Sequence, residues 1–214
     1  MDLKYARLHA SKRLLVPFSS YMRSHRNNLF ISAMRLQGGE RVIDLGGTVE
    51  FWDSVLVPLN LTVLNLPGEP HDYSKSSHHN VSCVEGDACK ITNYSDQSFD
   101  IVFSNSVIEH VGGPEKQRMM AREVRRLAPR YWVQTPSIWF PIEAHTYMPF
   151  WWFYPEPVKA YFMRSWFRKL PEWTEMIQGT SVLSHREMRE LFPEAKIMTE
   201  HLIGITKSYI AVRA

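Results

Sequence analysis

Residues able to bind or react cluster behind a series of short β-branched runs. Asp44, Gly46, Gly47 and Thr48 follow the run 41–45, and Asn65 and Leu66 close the run 61–66. Gly86, Asp87 and Ala88 follow the run 80–84, and Ser104, Asn105, Ser106, Glu109 and His110 follow the run 99–103. Thr135, Pro136, Glu143 and His145 come after the run 130–134. Glycines behind a strand let backbone approach a ligand closely. The acidic residue beside them suits a cationic or amine-bearing ligand. The segment VIDLGGT is neither G-x-G-x-x-G nor a P-loop, so the dinucleotide and nucleoside-triphosphate fingerprints are absent. Glu109, His110 and His145 are the acid–base candidates. An imidazole suits proton removal near neutral pH, and Glu143 could orient His145 or hold an acceptor. For Glu109 the plainer alternative is orienting backbone, and for His145 it is tying down a loop.

Two other groups of reactive types carry less. His71, Asp72, His78 and His79 share one loop, but their spacing matches no standard zinc site, and no metal is expected. A Mg²⁺ held by carboxylates and water leaves little sequence trace and stays open. Cys89 reads as a small buried hydrophobe rather than a nucleophile, and Cys83 lies in a strand.

These residues need a frame that gathers them. Runs of strand length alternate with helical patterns, best in EKQRMMAREVRRL at 115–127, where Met119, Met120, Val124 and Leu127 share a face. That alternation predicts an α/β fold with a mostly parallel sheet covered on both faces. Ligands of such sheets bind beyond the carboxyl ends of the strands, where all five loops converge. Residues 1–37 read as a basic helical segment that Gly38-Gly39 stops, and 50–57 as a further helix. Ser184 caps a helix to Phe192 with Glu187 three residues on. Runs at 195–199 and 207–212 complete seven strands, the last two expected to run antiparallel at the sheet edge.

Residues 137–180 break the pattern as an aromatic, proline-punctuated insertion. Six of the seven tryptophans lie in 131–173, and no acid stands between Pro157 and Pro171 while Lys159, Arg164, Arg168 and Lys169 do. The prolines exclude a long helix before about Val158. Three readings are open: aromatics packing the insertion or a dimer contact, a basic helix touching a membrane surface, and a lid over an acceptor. In the lid reading Trp139, Trp151 and Glu143 contact the acceptor.

The chain has 214 residues, 44% hydrophobic and 22% charged, with a formal net charge of +3. That is one ordinary globular domain. The charge is well short of a polycationic nucleic-acid binder. Two cysteines fit a reducing compartment, and no run approaches the ~20 apolar residues of a membrane span. The expectation is a cytoplasmic protein with no stable membrane insertion, as a monomer or homodimer.

In order and spacing, VIDLGG (42–47), VLNL (63–66), EGDA (85–88) and FDIVFSNSVIEHVGG (99–113) resemble the class I S-adenosylmethionine-dependent methyltransferases, with SNSVIEHV similar to the type 11 branch. The resemblance covers roughly residues 38–136. It implies a Rossmann-like, seven-stranded sheet in one domain, 1–214, with an antiparallel strand beside the one before it. It implies S-adenosylmethionine held by Asp44, Gly46, Gly47, Asn65, Asp87, Ala88 and Asn105. It also implies methyl transfer to a small-molecule or saccharide-like acceptor, on oxygen if His145 removes the proton. The family's third glycine is missing, Thr48 and Glu50 following Gly47, and its usual ribose-binding acid is Asn65. Those departures keep a non-catalytic cofactor-binding partner subunit open, beside a nicotinamide-dependent oxidoreductase. No Asn/Asp-Pro-Pro-Tyr motif follows the fourth run, which speaks against nucleic acid as acceptor.

Overall fold

In the computed structural model, residues 25–68, 78–143, 146 and 148–214 are described. A seven-stranded sheet forms the frame, in the order β3-β2-β1-β4-β5-β7-β6. Its strands are β1 (Arg41–Leu45), β2 (Asn60–Asn65), β3 (Asn80–Glu85), β4 (Ile101–Asn105), β5 (Arg130–Pro136), β6 (Lys196–Leu202) and β7 (Ile205–Arg213). The first five pair in parallel. β7 is inserted between β5 and β6 and runs antiparallel to both.

The sheet is buried on both faces, and period-2 alternation assigns each residue to one of them. Ile43, Leu45, Tyr131, Val133, Tyr209 and Ala211 pack on the face covered by α3 (Pro114–Leu127) and α6 (His185–Leu191). Val42, Trp132, Ile210 and Val212 pack on the other, against α1 (residues 25–34) and α2 (Val49–Trp52). There Phe30 of α1 meets Trp52, Phe103 and Trp132 edge-on, with ring centroids 5.7, 5.0 and 5.7 Å apart.

Helix ends show where local chemistry differs from the sequence reading. α1 stops at Met34, because Arg35 adopts φ +48°, before the Gly38-Gly39 pair expected to end it. Residues 1–24 of the expected helical segment lie outside the described residues. The helix expected over 50–57 is a single turn, because only the Asp53 and Val55 amides continue its bonding before Pro58. α6 has the expected cap: the Ser184 side chain accepts from the Glu187 amide and the Glu187 carboxylate accepts from the Ser184 amide.

The insertion after β5 folds as a narrow pairing of Ile142 with Pro149, a 3-10 turn, and a helical hairpin of α4 (Glu156–Phe167) and α5 (Pro171–Gly179). α4 begins two residues earlier than the prolines suggested, because Pro157 sits in its first turn, where no intrahelical donor is needed. The second helix is not foreshadowed by the aromatic pattern. Among the described residues no helix is long and apolar enough to cross a membrane.

Candidate active site

Two cavities are lined by residues at the carboxyl ends of the strands, and Gly46 and Ser106 line both. One, of about 460 Å³, has Asn65 and Leu66 from β2's exit, Gly86, Asp87 and Ala88 from β3's, and His110, Val111 and Lys116. The other, of about 490 Å³, has Asp44, Gly46, Gly47 and Thr48 from β1's exit, Asn105, Gln134 and Pro136, and Arg26, Lys207 and Ser208. All seven residues expected to hold the cofactor therefore line this pair of cavities.

The turn after β1 is built around a buried acid. Gly46 has φ +77°, a conformation natural to glycine, and a Cβ there would come within 2.7 Å of the Val107 side chain. A Cβ on Gly47 would overlap the Asp44 carboxylate. Asp44 is 1% exposed, and its Oδ2 accepts from Trp52 Nε1 at 2.8 Å. Burial pushes its carboxyl up to about 7 against the lowering effect of Trp52. Its Oδ1 is a buried oxygen with no hydrogen-bond partner among the described residues. An acceptor left unmet at a cavity wall, beside two glycines with no room for a side chain, fits the ammonium of an amino-acid-bearing cofactor.

Asn65 does something the sequence did not signal: its Nδ2 donates to the Gly47 carbonyl at 3.0 Å. The amide thus braces the glycine turn. Asp87 accepts from the Cys89 amide at 2.8 Å and lies 3.4 Å from Lys116 Nζ. Partial burial works to raise its carboxyl, but the Cys89 amide and Lys116 outweigh it and hold it below the ordinary carboxylate range. Cys89 is buried, and burial, with Asp87 close by, pushes its thiol up to about 11, as befits an inert core residue.

Glu109 is fully buried. Its Oε2 accepts from the Thr135 hydroxyl at 3.1 Å, and its backbone carbonyl accepts from the Ser181 amide at 2.7 Å. It therefore joins the loop after β4 to β5 and to the end of the insertion. His110 lines the smaller cavity, with Nδ1 3.1 Å from Thr180 Oγ1 and Nε2 3.9 Å from Glu109 Oε1. Ser106, between the two cavities, holds φ +58°. Such strain in a non-glycine residue gathers at functional sites.

The acceptor-side residues are spread more widely. Glu143 is buried, and its carboxylate accepts from the Thr146 amide while its own amide donates to the Met148 carbonyl. His145 lies outside the described residues, between these braced neighbours in sequence. Trp139 is exposed and packs against Phe153, with centroids 5.6 Å apart. Trp151 is buried among Tyr154, Phe162 and Trp166, inside the insertion's own aromatic cluster.

Arg26 was invisible to the sequence reading. Its Nε and Nη2 donate to the Glu200 carboxylate at 3.2 and 2.7 Å, and its Nη1 to Asn105 Oδ1 at 2.7 Å. Ser208 also donates to Glu200. Burial works to raise the Glu200 carboxyl, and Arg26 overrides it, so the net shift is downward. No local signal marks a pair 174 positions apart.

Of the loop histidines, His71 and Asp72 lie outside the described residues. His78 is exposed, while His79 is buried, taking the Leu59 amide on Nδ1 and meeting the Trp52 carbonyl with Nε2. Among the described residues no group of three or more His, Cys, Asp or Glu could hold a metal ion.

Residues 46–130 match the family model described as a methyltransferase domain. No curated protein matches the chain. Among solved structures, magnesium protoporphyrin IX methyltransferase from Synechocystis PCC 6803, with bound SAH, aligns at 13% identity and TM-score 0.53, over 89% of this chain and 83% of that one. An O-methyltransferase family protein from Burkholderia thailandensis aligns at 15% identity and TM-score 0.55, over 96% and 59%. A putative sarcosine dimethylglycine methyltransferase from Galdieria sulphuraria aligns at 15% identity and TM-score 0.53, over 87% and 65%. At these identities the likeness is one of fold.

Proposed function

We propose that this chain, whose residues 46–130 match a methyltransferase-domain model, is a class I S-adenosylmethionine-dependent methyltransferase that methylates an oxygen of a small-molecule or saccharide-like acceptor in the cytoplasm. Bound S-adenosylmethionine supplies an electrophilic methyl on a sulfonium, ready for in-line displacement. The chain's own residues bind, orient and deprotonate. Asn65, Asp87 and Ala88 hold the adenosine half in the smaller cavity. Asp44, Gly46, Gly47 and Asn105 hold the amino-acid half in the larger one. Ser106 then stands beside the reacting centre, where the two cavities share a wall.

His145 takes the acceptor proton. The single observation that supports this is Glu143, buried and bonded to the Thr146 amide, a tie between the two described residues that flank position 145 in sequence. A base must be held still to act. Glu109 and His110 orient the β4 loop, and the insertion 137–180 forms the acceptor side of the single domain, with Trp139 at its surface. The catalytic reading differs from that of a silent partner subunit in a turnover assay. The purified protein should release S-adenosylhomocysteine with hydroxylated acceptors, and His145→Ala should cut turnover by ~10²–10⁴ while leaving S-adenosylhomocysteine affinity intact. Near-normal turnover in His145→Ala would leave that residue only a loop-tying role.

A further inference from the structure

The insertion after β5 turns rings and guanidinium groups to solvent on one helix face. On α4, Tyr161, Arg164 and Arg168 recur at helical spacing and are exposed, with Phe167 beside them, and Arg168 keeps helical backbone angles at the C-cap. The opposite side of α4 packs inward. Phe162 and Trp166 meet Trp151, with centroids 6.4 and 5.2 Å apart, and Trp166 meets Trp173 of α5 at 5.2 Å. The chain before α4 turns rings outward in the same way: Trp139, Phe150 and Phe153, like Tyr161 and Phe167, are between 49% and 66% exposed. Phe150 is also held at φ +53°, its amide donating to the Pro141 carbonyl at 2.7 Å. A bulky residue in that conformation is strained, and here the strain holds an apolar ring in water.

We propose that this face of the insertion docks the protein on an anionic lipid bilayer surface. Its aromatic rings leave water at headgroup level, the tyrosine keeping its hydroxyl wet. Arg164 and Arg168, one turn apart, reach lipid phosphates with their guanidinium groups while their stems lie along the rings. The attraction of basic side chains to an anionic leaflet complements the face in charge and weakens with salt. No acid of α4 opposes it: the helix has one, Glu156, which pairs with Lys159 at 3.1 Å. Glu172 and Glu175 belong to α5, which packs on the other side of α4 through Trp173. The formal net charge of +3 has the sign that an anionic surface attracts. A second copy fits less well, because a two-fold contact sets the basic face against its own copy. The docking goes beyond the methyl-transfer reading and does not depend on it. It does concern the acceptor side, since the insertion leaves the sheet at Pro136, which lines the larger cavity.

The test floats the full chain with vesicles of phosphatidylglycerol and phosphatidylcholine in equal parts, and with vesicles of phosphatidylcholine alone. The parent should partition about tenfold or more in favour of the mixed vesicles, and added salt should release it. Arg164→Gln with Arg168→Gln should cut that partitioning by about tenfold or more, and Tyr161→Ser with Phe167→Ser by a similar factor. All four positions are exposed, so both variants should unfold thermally with the parent. Should the aromatic variant unfold early, the arginine variant decides alone. A parent that stays in the aqueous phase, or a folded variant that partitions as the parent does, overturns the bilayer assignment. Soluble poly-glutamate stands in for an acidic protein partner, and a parent that binds it as tightly as the mixed vesicles overturns the assignment too. So does lipid-free self-association of the parent that Tyr161→Ser with Phe167→Ser abolishes, which gives the face to a second copy. None of these readouts uses turnover, so a failure here is distinct from a failure of the methyl-transfer reading.

Discussion

Asn65 shows how far a residue's type underdetermines its work. From sequence it stands where an acid would hold ribose hydroxyls, and on that ground Asn65→Asp should keep or improve cofactor binding, since a carboxylate bonds hydroxyls more strongly. The structure reverses the sign. The side-chain amide donates to the Gly47 carbonyl, and a carboxylate cannot donate: it would face that carbonyl oxygen and loosen the glycine turn. Asn65→Asp should therefore weaken S-adenosylhomocysteine binding about tenfold, or about 1.4 kcal/mol, measured by calorimetry. Asp44 gives a second prediction at this scale. Its carboxyl, pushed up to about 7 in the folded chain, lies above the 3.8 of an ordinary aspartate. Between those values the unfolded chain has released a proton that the folded chain keeps. Stability contributed by this group is therefore lost as pH rises through that window, on the order of 2–4 kcal/mol in all. Asp44→Asn should remove that slope. The difference in urea midpoint between parent and variant should shift against the parent from pH 5 to pH 8, and a constant difference would refute the burial argument.

At the scale of elements, the sequence marked what local pattern encodes. The five parallel strands, α3 and the α6 capping box were legible because side-chain alternation, helical spacing and a serine–glutamate pair each act over a few residues. What it hid depends on contacts across the chain. Arg26 and Glu200 meet only when α1 docks beside β6 and β7. His79 looked like a loop residue, yet the fold buries it against Trp52. The aromatic insertion was visible as a departure, but not the direction its rings take: Trp151 turns into the insertion's own cluster. The Arg26–Glu200 pair is where α1's position can be tested. Arg26→Met would leave Glu200 buried without its guanidinium partner and should cost about 3–5 kcal/mol by chemical denaturation. The sign with pH follows from Glu200, whose folded pKa is depressed. The pair's contribution is full above the ordinary carboxylate range and fades as acid titrates Glu200. Parent and Arg26→Met should therefore converge in stability toward low pH, and a gap independent of pH would mean that Arg26 acts through packing alone.

At the scale of the molecule, the proposed division of the site follows strand order. β1 and β4 are neighbours at the middle of the sheet, with β2 and β3 on one side and β5 and β7 on the other. Loops after β2 and β3 line one cavity, residues of β5 and β7 line the other, and among the described residues only Gly46 and Ser106 belong to both. A ligand spanning the two should couple halves of the sheet that its fragments engage separately. At 100 times its dissociation constant, S-adenosylhomocysteine should add about 2.7 kcal/mol and raise the melting temperature by about 5–10 °C. Adenosine and methionine should each give a smaller rise at far higher concentration, because neither has its partner held nearby by a covalent link. The fragments should also be separable by mutation. Asp87→Ala should abolish the rise from adenosine and spare that from methionine, and Asp44→Asn, at fixed pH, should do the reverse. Adenosine is the decisive arm. Its stabilisation reaches Asp44 only through the shared wall of Gly46 and Ser106 and the bond from Asn65 to the Gly47 carbonyl, so equal loss of both fragments in Asp44→Asn would show that this wall collapses as a unit, and the division into two half-sites would fail.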